Sequence, residues 1–205
     1  MNHGKLYIIS APSGAGKTSL VRQLVADLDS LTVSVSHTTR PMRPGEAHGR
    51  DYFFVPVAEF QAMLERQAFL EHARVFDNFY GTARQTVEEN LSQGLDVILE
   101  IDWQGAQQIK KLLPDSLSIF ILPPSIDILQ QRLRSRGQDD EQIIARRMRD
   151  AVTEMSHYDE FDYLVVNDVF EQALTALKSI LTANRLTRQR QQYELEPLLK
   201  ALLSR

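Results

Sequence analysis

Short runs of β-branched and aromatic residues alternate along this chain with amphipathic stretches. Leu6-Tyr7-Ile8-Ile9 is continuously apolar, the pattern of a strand buried on both faces. A glycine loop follows, and from Lys17 the apolar positions Leu20, Val21, Leu24, Val25 and Leu28 recur at helical spacing. Further strands are predicted at Thr32 to Ser36, Asp51 to Val55, Val97 to Ile101, Ser118 to Leu122 and Tyr163 to Val166. Helices are predicted from Val57 to Gln67, from Thr86 to Gln93 before Gly94, and from Gly105 to Leu113 before Pro114. Ser125 suits the N-cap of a helix ending near Gly137, and Glu141 to Met155 forms the next. Strands separated by helices predict an α/β fold with a parallel sheet and crossover helices.

Two segments interrupt the alternation. Residues 37 to 81 begin with a loop rich in Pro, Gly and Arg (Arg40-Pro-Met-Arg-Pro-Gly-Glu46) and continue with short strands and one helix, which predicts an inserted α+β subdomain. Residues 126 to 156 read as a charged helical hairpin. The last 35 residues predict a long helix with Ala173, Leu174, Leu177, Ile180 and Leu181 on one face, then a tail carrying Leu195, Leu198, Leu199, Leu202 and Leu203. That tail is expected to pack on its own core, with an oligomer contact as the other reading.

Composition narrows the classes. A length of 205 residues predicts one domain, and 43% hydrophobic with 24% charged residues excludes a disordered or low-complexity chain. Twenty-three basic against 27 acidic residues, net −4, gives no support for a nucleic-acid or polybasic membrane partner. No cysteine is present, which removes disulfides, Cys-zinc sites, iron–sulfur clusters and thiol nucleophiles. Without a signal-peptide apolar segment, a soluble cytoplasmic protein is expected. The five histidines show no metal-ligand spacing.

Four motifs carry chemistry. Ala11-Pro-Ser-Gly-Ala-Gly-Lys-Thr18 matches the P-loop G-x-x-x-x-G-K-[ST] except at its first position. Chance supplies the Gly-x-Gly-Lys-[Ser/Thr] part in roughly one chain of this length in a hundred, and here it lies between a strand and a helix. Loop N–H groups and the positive helix end then converge on an anion, Lys17 reaches the β/γ-phosphates, and the Thr18 hydroxyl is a Mg²⁺ ligand. An alanine at position 11 is strained only if the loop needs a positive φ there. Secondly, Val97 to Asp102 is an apolar strand ending in acids. Asp102 is a candidate magnesium or substrate ligand, or else the N-cap of the next helix, and Glu100 is a weaker candidate. Thirdly, Arg132, Arg134, Arg136, Arg146, Arg147 and Arg149 suit a lid that neutralises phosphoryl charge, with Arg134, Arg146 and Arg149 the expected bystanders. Lastly, Arg40 and Arg43 in a Pro/Gly loop, with Tyr52 and Tyr80 downstream, suit a second phosphate.

The order and spacing of Pro12 to Thr18, Ser36-His-Thr-Thr-Arg-Pro41, Gly45-Glu46, Gly49-Arg-Asp-Tyr52, Phe69-Leu-Glu71, Tyr80-Gly-Thr82, Glu100-Ile-Asp-Trp-Gln-Gly105, Arg132 to Gly137 and Val166-Asn-Asp168 resemble bacterial guanylate kinases over almost the full length. The resemblance implies Mg²⁺-dependent transfer of the ATP γ-phosphoryl group to GMP. It implies a P-loop core (residues 1–36, 89–125 and 157–205), an NMP-binding subdomain (37–88) and a lid (126–156). It puts ATP on Ser13, Gly14, Ala15, Gly16, Lys17, Thr18, Ser19 and Asn167, and the GMP phosphate on Arg40, Arg43, Tyr52 and Tyr80. The guanine readers it implies are Ser36, Glu71, Thr82 and Asp102. Thr18 and Asp102 are the expected metal ligands, and Lys17, Arg40, Arg132, Arg136 and Arg147 the catalytic cations. The partners expected are ATP and GMP, with a homo-oligomer possible and neither nucleic acid nor membrane.

Two other readings stay in view. A kinase of ribose 1,5-bisphosphate would not need the Ser36, Glu71 and Thr82 set, and a non-catalytic binding module would not need Lys17 and Thr18. A GTP-hydrolysing switch lacks its Asn-Lys-x-Asp motif here.

Overall fold

The computed structural model describes residues 3–75, 77–135 and 141–204. In chain order the elements are β1 (Leu6–Ser10), α1 (Lys17–Asp27), β2 (Leu31–Val33), β3 (His37–Thr38), β4 (Phe53–Phe54), α2 (Val57–Glu65), β5 (Phe69–Val75), β6 (Asn78–Ala83) and α3 (Arg84–Ser92). They continue with β7 (Asp96–Glu100), α4 (Trp103–Leu112), β8 (Leu117–Leu122), α5 (Ile126–Ser135), α6 (Glu141–Met155), a 3-10 turn (Tyr158–Glu160), β9 (Tyr163–Val166), α7 (Phe170–Arg185), α8 (Arg188–Glu194) and α9 (Glu196–Leu203).

The central sheet is fully parallel in the order β2-β7-β1-β8-β9. Because side chains alternate along a strand, Tyr7 and Ile9 join Ile98, Ile119 and Ile121 under α1 and α7. Leu6 and Ile8 face the other way, with Val97 and Leu99, under α3 and α4. Burial on both faces is why these strands read as unbroken apolar runs. A second sheet, β4-β3-β6-β5, is mixed, and α2 packs on it through Phe60 stacked on Phe69 and Phe79. The boundary expected at residue 88 falls inside α3, whose Val87 belongs to the central core.

The C-terminal tail departs from expectation. α8 is tied down: Arg190 and the adjoining Arg185 of α7 each donate at 2.8 Å to the buried carboxylate of Asp96. α9 buries none of its leucines, and Leu202 and Leu203 are 70% and 78% exposed. The core on that side of the sheet is filled by Leu177 and Leu181 of α7, packed with α1 residues such as Leu20 and Leu24. No helix among the described residues is long and apolar enough to cross a membrane.

Candidate functional site

β1 is the switch point in the strand order, with β7 and β2 on one side of it and β8 and β9 on the other. Ligands of such sheets bind beyond the carboxyl ends of the strands at this point. Here those ends deliver the P-loop after β1, Glu100 to Asp102 from β7, and Asn167 after β9.

The P-loop turns on two glycines, Gly14 at φ +94° and Gly16 at φ +93°, both in the region where a Cβ is strained. Gly16 has a second reason. A Cβ there would lie within 2.3 Å of the Asn167 amide nitrogen, which donates to the Ala15 carbonyl at 2.7 Å. Ala11 is absent from the positive-φ residues, so the alanine in the first motif position carries no backbone strain. Ala15 and Gly14 are buried, Ser13 and Lys17 are half-buried, and Thr18 and Ser19 are exposed. Lys17 Nζ reaches the Ile101 carbonyl at 3.4 Å.

At the end of β7 the two acids divide. Glu100 Oε2 accepts from the Thr18 hydroxyl at 3.2 Å. Asp102 is the N-cap of α4: Oδ1 accepts from the Gly105 N–H at 3.0 Å and Oδ2 from Gln104 Nε2 at 2.9 Å. The parallel register that pairs Ile9 with Glu100 aims Glu100 at the P-loop. The carboxylate beside the expected metal ligand Thr18 is therefore Glu100, while Asp102 is engaged in its own helix turn.

Across the cleft, β5 and β6 carry the polar groups of the second subdomain. Glu71 is 2% exposed, and its Oε1 accepts from the Thr82 hydroxyl at 2.5 Å. Burial pushes its carboxyl up to about 7, opposed by the Thr82 hydrogen bond and reinforced by the negative charge of Asp102. Ser36, immediately before β3 of the same sheet, is buried. Arg40 lies against the Tyr52 and Phe54 rings and donates to Glu46 Oε1 at 2.7 Å, while Glu46 Oε2 accepts from the Arg43 backbone N–H at 2.8 Å. Glu46 is thus the present counter-ion of the arginine loop, a role its position in the motif did not announce. Tyr52 packs edge-on to Tyr80 at 5.9 Å, and burial raises its hydroxyl to about 12, so it keeps its proton.

The helical hairpin α5–α6 closes the third side. Arg132 donates through one guanidinium nitrogen to the Asn167 carbonyl at 3.0 Å, and its other terminal nitrogen is buried with no partner among the described residues. Arg147 is half-buried on α6. Arg136 lies outside the described residues. Arg146, expected to be a bystander, reaches Asp77 at the tip of the β5–β6 hairpin at 3.3 Å, so hairpin and second subdomain touch. Their meeting place is a cleft of about 220 Å³ lined by Val75, Asp102, Trp103, Gln104, Arg146 and Glu154 among others.

Glu154 of α6 escaped the sequence reading. Its carboxylate lies close enough to the Ser13 N–H of the P-loop to be stabilised by it, and Oε2 is buried without a partner among the described residues. Burial pushes it up to about 7 against the pull of Lys17. In sequence it is one glutamate on an amphipathic helix, and nothing local sets it apart. The end of α6 is held by His157, which stacks on Trp103 at 3.6 Å and hydrogen-bonds Glu160.

The family model described as guanylate kinase matches residues 3–184. The guanylate kinase of Methylococcus capsulatus is 61% identical over 203 residues, covering 99% of this chain and all of that one. That of Escherichia coli K12 is 57% identical over the whole of both chains. A crystal structure of guanylate kinase from Anaplasma phagocytophilum superposes with a TM-score of 0.78 at 33% identity, covering 92% of this chain and 90% of that one. A P-loop facing a buried acid across one cleft, full-length identity above one half and a shared fold lead to one statement: this chain belongs to the guanylate kinase family.

Proposed function

We propose that the protein transfers the γ-phosphoryl group of ATP to GMP, giving ADP and GDP. The observation that carries this reading is the buried Glu71–Thr82 pair. It faces the phosphate side of the cleft closely enough for its carboxyl to feel both Lys17 and Asp102. Guanine offers N1–H and N2–H side by side with an O6 acceptor, so one carboxylate takes both donors and the Ser36 hydroxyl donates to O6. Adenine offers neither donor at those places.

In this reading the ATP phosphates lie on the N–H groups of Ser13 to Ser19, with Lys17 on the β/γ-phosphates. The GMP phosphate lies among Arg40, Arg43, Tyr52 and Tyr80, and takes over the Arg40 contact that Glu46 now makes. A GMP phosphate oxygen forms the new bond to the γ-phosphorus as the bond to the ADP oxygen breaks. Lys17 and the arginines Arg132, Arg136 and Arg147 stabilise the charge spread over the transferring oxygens. Asn167 acts through the P-loop backbone that it clasps. We assign residues 37–83, which end before α3 and its core residue Val87, to the moving NMP-binding part and 126–156 to the lid, which excludes water from the transfer.

The residues present fit a magnesium ion. Thr18 Oγ1 and Glu100 Oε2 lie 3.2 Å apart at the exposed mouth of the P-loop, and no cluster of three acidic or histidine ligands occurs among the described residues. That donor set suits an ion held mainly by water and substrate phosphates. Bound there, Mg²⁺ supplies charge neutralisation and orientation of the β- and γ-phosphates. A direct role for Asp102 on metal or base requires it to release Gln104. The absence of cysteine accords with a cytoplasmic setting.

The test is ADP release, coupled to an indicator reaction, over GMP, dGMP, AMP, CMP, UMP and ribose 1,5-bisphosphate. GMP is expected to exceed AMP in kcat/KM by about 10⁴-fold, because a site built around hydrogen bonds rejects a base that lacks them. Equal use of AMP and GMP would refute the guanine reading, and no turnover with any acceptor would refute the kinase.

A further inference from the structure

Gly105 stands in the first turn of α4 without the usual reason for a glycine. It is not among the residues with positive φ, and glycine is a poorer helix former than alanine. What a side chain there would meet is specific. A Cβ built on Gly105 falls 2.4 Å from Glu71 Oε2 and 3.1 Å from Glu71 Cδ, about 1 Å short of an ordinary contact at the oxygen.

Hydrogen bonds hold both partners at this spacing. The far oxygen of Glu71 is tied to Thr82 at 2.5 Å, and the side chain is 2% exposed. Helix α4 is pinned to β5 one turn further on, where Gln108 donates to the His72 carbonyl at 2.7 Å and accepts from the His72 N–H at 3.1 Å. His72 adjoins Glu71, so these two bonds set the spacing between Gly105 and the acid. At the other end, the Gly105 N–H is held by Asp102.

We propose that Gly105 is a specificity-determining positioning residue, whose missing side chain lets the Glu71 carboxylate sit against α4 at the depth where it reads both N–H donors of guanine. The inference rests on the reading of Glu71 as the guanine acceptor and extends it to a residue that touches no substrate. A methyl group at 105 displaces Oε2 by about 1 Å, toward the bound base or off its line, and a misplacement of that size costs up to about 10²-fold. IMP keeps N1–H and O6 and lacks only the exocyclic amine, so the preference for GMP over IMP reports whether the carboxylate still takes both donors.

The experiment compares Gly105→Ala, Glu71→Ala, and the double variant Gly105→Ala/Glu71→Asp with the parent. Each is assayed with GMP and with IMP, which lacks the 2-amino group, at saturating ATP, and the KM for ATP is measured separately. Gly105→Ala is expected to raise the KM for GMP about 10- to 100-fold, the range of a charge-assisted hydrogen bond. It should lower the preference for GMP over IMP, with a smaller change in kcat and an unchanged KM for ATP. In the double variant the shorter acid makes room for the methyl group, so part of the GMP preference lost in Gly105→Ala returns. Unchanged GMP kinetics in Gly105→Ala, with Glu71→Ala impaired, overturns the proposal and leaves the guanine reading standing. If Glu71→Ala is also unaltered, the guanine reading itself fails. Should Gly105→Ala not fold, recovery of folded protein in the double variant supports the clash, and failure of both variants to fold overturns it.

Discussion

Replacing Glu71 by glutamine should damage substrate use and stabilise the empty protein at the same time. The side chain is almost wholly buried, and its carboxyl is raised from 4.5 to about 7, mainly by desolvation. At about 1.4 kcal/mol per pKa unit this rise corresponds to about 3 kcal/mol. An acid whose pKa is higher folded than unfolded binds its proton more tightly in the native state. Its contribution is therefore complete below pH 4.5 and is lost as the pH climbs through about 7. Above pH 7 the ligand-free parent holds a buried, ionised carboxylate that Thr82 only partly compensates. Glutamine keeps an acceptor for Thr82, does not ionise, and removes that cost. For a protein of this size 1 kcal/mol corresponds to about 2–4 °C, so Glu71→Gln should raise the Tm of the ligand-free protein by up to about 10 °C at pH 8, with the gain vanishing near pH 4.5. The same variant offers guanine one acceptor in place of two, and kcat/KM for GMP should fall by one to two decades. Differential scanning calorimetry from pH 4.5 to 8 and steady-state kinetics with GMP read the two effects on one preparation. A Tm difference independent of pH would refute the buried-carboxylate argument, and unaltered GMP kinetics would refute the functional one.

Three further outcomes are expected. Lys17→Ala should lower kcat by about 10²- to 10³-fold, by the loss of a preorganised charge on the transferring group, while circular dichroism stays that of the parent; turnover within a few-fold of the parent would refute the P-loop assignment. Asp96→Ala leaves Arg185 and Arg190 facing each other without their buried acid and should cost about 3 kcal/mol in urea unfolding, an effect that a merely surface pair would not produce. Labels at exposed positions of residues 126–156 and 37–83 should approach when GMP and a non-hydrolysable ATP analogue are added together, and an unchanged distance would argue against closure.

What was legible in the sequence is what short-range physics determines. An apolar run, a glycine turn and a helical period announce β1, the P-loop and α1 because each signal lies within one element and its neighbour. The same holds for β7 and β8, buried on both faces, and for the hairpin α5–α6, buried along one stripe, while β9 shows the same apolar run although only its Val165 is buried. Even the leucine period of the C-terminal tail was visible. Whether those leucines find a partner in the same chain was not, because that depends on which core faces other helices have already filled, and the structure leaves α9 exposed. The β5–β6 hairpin was only generically expected, since its strands do not alternate cleanly and exist through pairing with β3 and packing on α2.

Tertiary structure alone decided the chemistry that depends on distance through space. Glu100 and Asp102 are two residues apart and equal as acids. Strand register turns one toward Thr18, while the helix that follows claims the other as its cap. Glu154 comes close to the P-loop because α6 folds over a loop about 140 residues earlier in the chain. Gly105 meets Glu71 because two hydrogen bonds from Gln108 hold α4 against β5. Periodicity reports which face of an element is buried, and it carries no information about which element arrives there. Proximity of that kind is settled when the whole core packs, and the fine placement of this site was settled with it.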